Sequence, residues 1–179
     1  NLLKSVRDVP ISNSGGFAGR RDNLTAMTYS NSNYEIHNDI YSGILQLNSR
    51  LRANVANELI VGYTANRDYR VKKSPAFPTV DILSGGDFNY ITFGSEPFTP
   101  NNVLNTDTYQ FSDNLTIFKG KHTFSFGVNY ERFKFFNQFT PTINGQYVFN
   151  NLDSFYASAN AYLANPNMAN NPVNLRRYN

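Results

Sequence analysis

An all-β, antiparallel fold with the strand lengths of a transmembrane β-barrel wall is predicted by three observations. Four segments of about 12 to 16 residues set an apolar row against a row of small polar side chains, the period of two that a strand imposes. They fall into two pairs, each joined by a short connection, and the pairs are separated by long stretches carrying Pro and Gly. Soluble sandwiches use strands of about 5 to 6 residues with similar loops at both ends. A strand tilted across a bilayer needs about 9 to 11, and barrel hairpins combine short turns on one side with long loops on the other.

Residues 1–35 are rich in Ser, Asn, Gly and Arg, with Val9-Pro10 and the run from Ser14 to Gly19 as breakers; they read as loop with a short strand near Leu24 to Tyr29. Residues 36–69 read as a hairpin. In its first strand Tyr41, Gly43, Leu45 and Leu47 alternate with Ser42, Ile44, Gln46 and Asn48. In its second, Leu59, Val61, Tyr63 and Ala65 oppose Glu58, Thr64, Asn66 and Asp68, and Arg52 to Ala56 connect the two. Residues 70–106 carry four prolines, the pair Gly85-Gly86 and little alternation, so they read as one long loop.

Residues 107–139 read as a second hairpin. Tyr109, Phe111, Leu115 and Ile117 oppose Gln110, Ser112, Asn114 and Thr116; Lys119-Gly120-Lys121 makes the turn, and Phe124, Phe126, Val128 and Tyr130 oppose Thr123, Ser125, Gly127 and Asn129. Beyond Arg132 the apolar phase moves to Phe133 and Phe135, which predicts a bulge or the end of the apolar band. Residues 140–179 read as loop, with a short strand at Gln146 to Phe149 and a short helix over Asp153 to Leu163, capped by Asp153 and stopped at Pro166.

Of the apolar rows, Leu59, Val61, Tyr63, Leu115, Ile117, Phe124, Phe126 and Val128 are the candidate lipid-facing residues. Asp113 falls on the same row, and a local bulge is the expected remedy. In the 70–106 loop Phe77, Phe88, Tyr90, Phe93 and Phe98 stand among Asn and Thr. This mixture suits glycan or peptide contact through stacking and hydrogen bonding, and equally suits self-packing of a compact loop.

Several chemistries are excluded by composition. There is no Cys, so there are no disulfides, thiolate metal sites or cysteine nucleophiles. Two His, His37 and His122, stand without carboxylate clusters in sequence and read as solvated polar positions rather than metal ligands. No Ser lies in a Gly-x-Ser-x-Gly elbow, and the run from Gly15 to Gly19 lacks the Lys-Ser/Thr of a phosphate loop. No catalytic, metal or cofactor-binding residue is therefore assigned, and the expectation is that the chain is not an enzyme. The sequons at Asn23 and Asn114 are read as chance. A net charge of +3 without a Lys/Arg run longer than two residues gives no reason to expect a nucleic-acid partner.

The stretches Asp8-Val9-Pro10-Ile11-Ser12-Asn13-Ser14-Gly15, Asn57-Glu58-Leu59-Ile60-Val61-Gly62-Tyr63-Thr64 and Ile91-Thr92-Phe93-Gly94 resemble pieces of the barrel of TonB-dependent outer-membrane receptors. The similar subgroup is the Oar-like one of Bacteroidetes-like bacteria. So do Phe98-Thr99-Pro100-Asn101-Asn102 and Gly120-Lys121-His122-Thr123-Phe124-Ser125-Phe126-Gly127-Val128-Asn129, followed by Glu131-Arg132-Phe133-Lys134-Phe135. The resemblance implies a 22-stranded barrel plugged by an N-terminal domain, importing a large or scarce nutrient with energy passed through TonB. It also implies membrane lipid, the rest of the barrel and the plug, and a surface lipoprotein or the substrate at the long loop, as partners. Nothing here resembles the plug or the segment that contacts TonB. Four long strands cannot close a barrel, whose smallest outer-membrane forms have about eight, so the chain is expected to be part of a larger one rather than to assemble with other copies of itself. The alternative is a non-transporting outer-membrane adhesin or a glycan-binding β-sandwich at the cell surface.

Overall fold

The computed structural model describes residues 1–9, 24–166 and 175–178. In chain order the elements are β1 (Leu2–Val9), β2 (Met27–Thr28), a 3-10 turn (Ser30–Ser32), β3 (Tyr34–Arg52), β4 (Val55–Lys72), β5 (Thr79–Leu83), β6 (Asn89–Phe93), β7 (Asn102–Lys119), β8 (His122–Phe139), β9 (Gln146–Phe149), α1 (Leu152–Ala164) and β10 (Leu175–Tyr178). They divide into two compact units.

The first unit comprises Asn1–Ser5, Asn38–Asp68 and Val103–Asn137. Its residues belong to a five-stranded sheet of order β1-β3-β4-β7-β8. The four long strands run 18 or 19 residues, longer than the alternation alone delimits. Their turns are short. Ala53 and Asn54 alone separate β3 from β4, fewer than the expected Arg52 to Ala56, because Val55 and Ala56 already extend the strand. Asn54 is held to the neighbouring strand, exchanging backbone contact with Phe118 (N–H to Asn54 O, 2.9 Å) and donating Nδ2 to the Phe118 carbonyl at 3.2 Å. Gly120, at φ 61°, opens the second turn in the left-handed region that a side chain disfavours.

Residues 1–35 are not all loop: Leu2–Val9 forms β1, which pairs with β3. Asn1 and Ser42 exchange two backbone hydrogen bonds, 2.6 and 2.9 Å, the mark of an antiparallel pair. The strand escapes the sequence pattern because Lys4, Arg7 and Asp8 interrupt its apolar alternation. The Gly15 to Gly19 run and Asn23 lie outside the described residues.

The second unit comprises Val6–His37, Tyr69–Asn102 and Gln138–Asn179. It carries a second five-stranded sheet of order β10-β9-β5-β6-β2, in which β9 pairs parallel with β5 and β2 parallel with β6. The stretch 70–106 is therefore not a simple loop. Thr79–Leu83 is buried at all five positions, so both of its faces are covered and no alternation betrays it. Val80, Ile82 and Phe149 form the core, packed by Ile91, Phe93, Tyr147, Leu152, Phe155 and Leu175. The helix begins one residue earlier than its pattern predicts. Its cap is Asn151, whose side chain accepts from the Ser154 N–H at 2.8 Å, and Asp153 lies inside the first turn instead. Residues 175–178 form β10 rather than loop, held to β9 across a register irregularity.

Gly94 shows why its sequence stretch takes the form it does. The residue sits at φ 92°, and an added Cβ would lie 1.9 Å from the Pro78 carbonyl oxygen. Its own carbonyl accepts from Ser32 Oγ at 2.8 Å, and its N–H donates to Asn31 Oδ1 at 3.3 Å.

Candidate functional site

Side-chain contacts sort the long strands of the first unit into two faces. Gln46 donates to Glu58 at 2.6 Å and Gln110 to Glu131 at 2.9 Å. A Cβ on Gly62 would meet Gln110 Oε1 at 3.0 Å, and one on Gly127 would meet Asn114 Oδ1 at 2.3 Å. Gln46, Glu58, Gly62, Gln110, Asn114, Gly127 and Glu131 thus share one polar face. On the other, the Tyr63 and Tyr109 rings approach to 5.1 Å. By the two-residue period, Leu59, Val61, Tyr63, Leu115, Ile117, Phe124, Phe126 and Val128 all lie on this second face. Val61, Tyr63, Phe124, Phe126 and Val128 are exposed large side chains.

Asp113 falls in the apolar row of β7, where Asn57 Nδ2 reaches across from β4 and donates to its Oδ1 at 2.7 Å. An amide partner satisfies the carboxylate.

The apolar row ends in charge. Arg67 donates to Asp107 at 2.6 Å, and the same carboxylate oxygen accepts from Tyr63 Oη at 2.7 Å. Lys134 lies within electrostatic reach of Asp107 from β8. On β3, Asp39 pairs with Lys4 of β1 at 3.9 Å. Asn38 contacts Asp68 at 3.4 Å, which sets the adjacent Asp39 opposite Arg67 on the apolar face. Between Asn57 and Arg67 the apolar row of β4 holds Leu59, Val61, Tyr63 and Ala65, ten positions end to end. At about 3.4 Å per residue and a tilt near 45°, that spans about 24 Å of height, the thickness of an outer-membrane apolar band of about 25 Å. Arg132 and Lys134 follow Tyr130 on the β8 row, while Phe133 and Phe135 take the alternate positions.

The five candidate contact rings separate in the second unit. Phe77, Phe88 and Tyr90 are exposed, Phe88 at 71%. Phe93 is partly buried against the core: it meets Phe155 edge-on at 5.9 Å and Tyr29 at 6.4 Å. Its strand packs one side against the core, a fact that aromatic content alone does not reveal. Phe98 is partly buried and stacks on Phe139 at 6.5 Å. The same sheet holds a buried polar cluster. Asp81 accepts from Gln146 Nε2 and from Thr92 Oγ1, each at 2.7 Å, and Asn89 donates to Thr92 Oγ1 at 2.6 Å.

Also within the second unit, Lys73 bridges Asp8 at 2.5 Å and Glu35 at 3.3 Å. His37 Nε2 lies 2.9 Å from Glu35 Oε2, and its ring stacks on Tyr69 at 4.9 Å. His37 is thus not simply solvated, as the sequence suggests; the two-residue spacing that puts Glu35 on its face was the available signal. The His37 hydrogen bond and then Lys73 hold the Glu35 carboxyl below its usual range. The Asp8 hydrogen bond, followed by that of Glu35, holds the Lys73 ammonium above its own. Among the described residues no three His, Asp or Glu side chains are grouped to hold a metal ion.

These long strands, one face apolar and banded, the other polar, define a wall of a membrane-spanning barrel. The chain belongs to the family described as outer membrane beta barrel domain, which matches residues 10–178. The protein is located in the bacterial outer membrane. No curated protein and no solved structure matches it.

Proposed function

We propose that the chain is part of the wall and surface segments of a TonB-dependent receptor that imports a large or scarce nutrient, and that its apolar face meets lipid while its polar face lines the lumen. The observation that carries this reading is the set of four strands of 18 or 19 residues with two-residue turns at one end. Such strands exceed the roughly 9 to 11 residues a crossing requires, as suits a large receptor that projects from the membrane. Five strands leave β1 and β8 as open edges among the described residues. An open edge is untenable in lipid, so in this reading further strands complete the barrel, 22 in all as the resemblance implies.

In this reading the work is transport, with no catalytic step. The plug and the TonB-contacting segment belong to parts of the protein outside this chain, and nucleic acid is no partner. Phe77, Phe88 and Tyr90 offer the exposed rings at which substrate or a surface lipoprotein would dock. The test deletes the gene for the full-length protein, and separately the gene for TonB, and measures growth on scarce nutrients. Loss of the same nutrient in both strains supports import. Unchanged growth in the receptor deletion, with loss of surface attachment, would replace this reading by that of an adhesin.

A further inference from the structure

We propose that Arg132 and Lys134, at the end of the charged row formed with Lys4, Asp39, Arg67 and Asp107, bind the phosphate-bearing headgroup of an outer-leaflet lipid. The row holds four cations against two carboxylates. Two of the cations are matched, Lys4 by Asp39 at 3.9 Å and Arg67 by Asp107 at 2.6 Å. Arg132 and Lys134 make no salt bridge among the described residues; Lys134 shares the field of Asp107 with Arg67, so two carboxylates among four cations leave the β8 end of the row positive. They stand two positions apart on one face, about 7 Å along the strand, so that both long side chains can converge on one phosphate. Directly below them on the same row come Tyr130, Val128, Phe126 and Phe124, all exposed. Acyl chains lying along those four side chains would deliver a headgroup to the two cations.

The side of the membrane follows from the turns. Ala53-Asn54 and Gly120-Lys121 are short, as periplasmic turns are. The charged row lies at the opposite ends of the same strands, hence in the outer leaflet. A guanidinium beside an ammonium favours a phosphate over a zwitterionic headgroup, whose own cation they would repel.

This inference rests on the lipid-facing reading above, and the experiment separates the two. The chain has no Cys, so the full-length protein, freed of other cysteines, takes a fluorophore at Val61→Cys or Val128→Cys. It is reconstituted in phosphatidylcholine vesicles containing brominated phosphatidylcholine or brominated phosphatidic acid at equal fraction. Both brominated lipids should quench position 61 alike. At position 128 phosphatidic acid should quench several-fold more than phosphatidylcholine, and high salt or the pair Arg132→Gln and Lys134→Gln should remove the excess. No quenching at position 61 would overturn the lipid-facing reading. Quenching there with no headgroup preference at 128 in the unaltered background, or a preference that survives the double substitution in an assembled barrel, would overturn the headgroup site alone. Displacement of the lipid by equimolar inorganic phosphate would show a site for the bare anion and would overturn the assignment to lipid.

Discussion

Gln146 and Asp81 stand 65 positions apart in the chain and 2.7 Å apart in the structure, joined by a hydrogen bond from the Gln146 amide to the carboxylate. The contact ties β9 to β5, the parallel pair at the middle of the second sheet. Asp81 is only 1% exposed, so its oxygens have these side chains to rely on rather than water. Asp81→Ala should leave the Gln146 amide and the Thr92 hydroxyl without their acceptor, costing about 1 to 3 kcal/mol for each group stranded. Urea titration of the purified full-length protein, followed by proteolysis at residues 70–106, reads the loss. Unchanged protease resistance would show that the cluster is not needed for order there.

Gly94→Ala makes a second test of the same unit. The substitution demands a positive φ of an alanine and drives its Cβ against the Pro78 carbonyl. Strained φ alone costs on the order of 1 to 3 kcal/mol, and the clash adds a backbone shift. Gly85→Ala gives the control: its φ of 87° is also positive, but nothing lies within 4 Å of the added carbon. The Gly94 variant should therefore be the more protease-sensitive of the two.

The faces of the first unit can be tested in a pair. Val61→Arg should cost about 2 to 4 kcal/mol if the side chain meets the middle of the bilayer, whereas Thr64→Arg on the polar face should be tolerated and change permeation. Folding into lipid vesicles against denaturant measures both. Equal tolerance at the two positions would reverse the assignment of faces.

For recognition, Phe88→Ser and Phe93→Ser should part company. Phe88 is an exposed ring, and its loss should weaken partner or nutrient binding without altering assembly. Phe93 packs on Phe155, and its loss should cost on the order of 3 kcal/mol and disorder the unit. Point changes are the right instrument, since excising residues 76–97 would remove both β5 and β6. Binding unchanged in Phe88→Ser, Phe77→Ser and Tyr90→Ser together would turn this surface into a cover.

The Lys73 cluster has two pH limbs of opposite sign. Glu35 titrates below its unfolded value, so its contribution is complete above about pH 4.3 and is lost as pH falls through the lower folded value. Lys73 titrates above its unfolded value, so its contribution is complete below about pH 10.4 and is lost as pH rises through the higher folded value. Hydrogen exchange of the Lys73 amide, which donates to Asn33 O at 3.2 Å, reports on the cluster, and Glu35→Gln should abolish the acid limb and weaken the alkaline one, since Glu35 also helps to hold the Lys73 ammonium.

The long strands were legible because one apolar face and one polar face write a period of two into the sequence: Leu59, Val61 and Tyr63 against Glu58 and Thr64 show it at a glance. The second sheet was not, because burial on both sides of Thr79–Leu83 erases that period and its partners lie far away in the chain. Met27–Thr28 and Gln146–Phe149 carry strand patterns, but nothing local says that both join the same sheet. The charged row escaped for a related reason. Lys4, Asp39, Arg67, Asp107 and Lys134 are scattered singly, and only the strand register brings them into line. The rings of 70–106 were legible as a group, while the division of Phe93 from Phe88 required the core.

The parallel pairing of β5 with β9 also governs when this protein can fold. Between those two strands in sequence lies the whole hairpin of β7 and β8, residues 102–139. A tight turn closes over a few residues, but this pair closes over more than sixty, and each doubling of loop length adds about 0.6 kcal/mol of closure entropy, roughly 2.4 kcal/mol beyond a four-residue turn. Such non-local pairing slows folding. A polypeptide emerging from one end cannot complete the second sheet until the hairpin has already left the translocation pore. The antiparallel pair of β5 and β6, joined through residues 84–88, can close early, whereas the pair of β5 and β9 is expected to close only after the intervening hairpin is made.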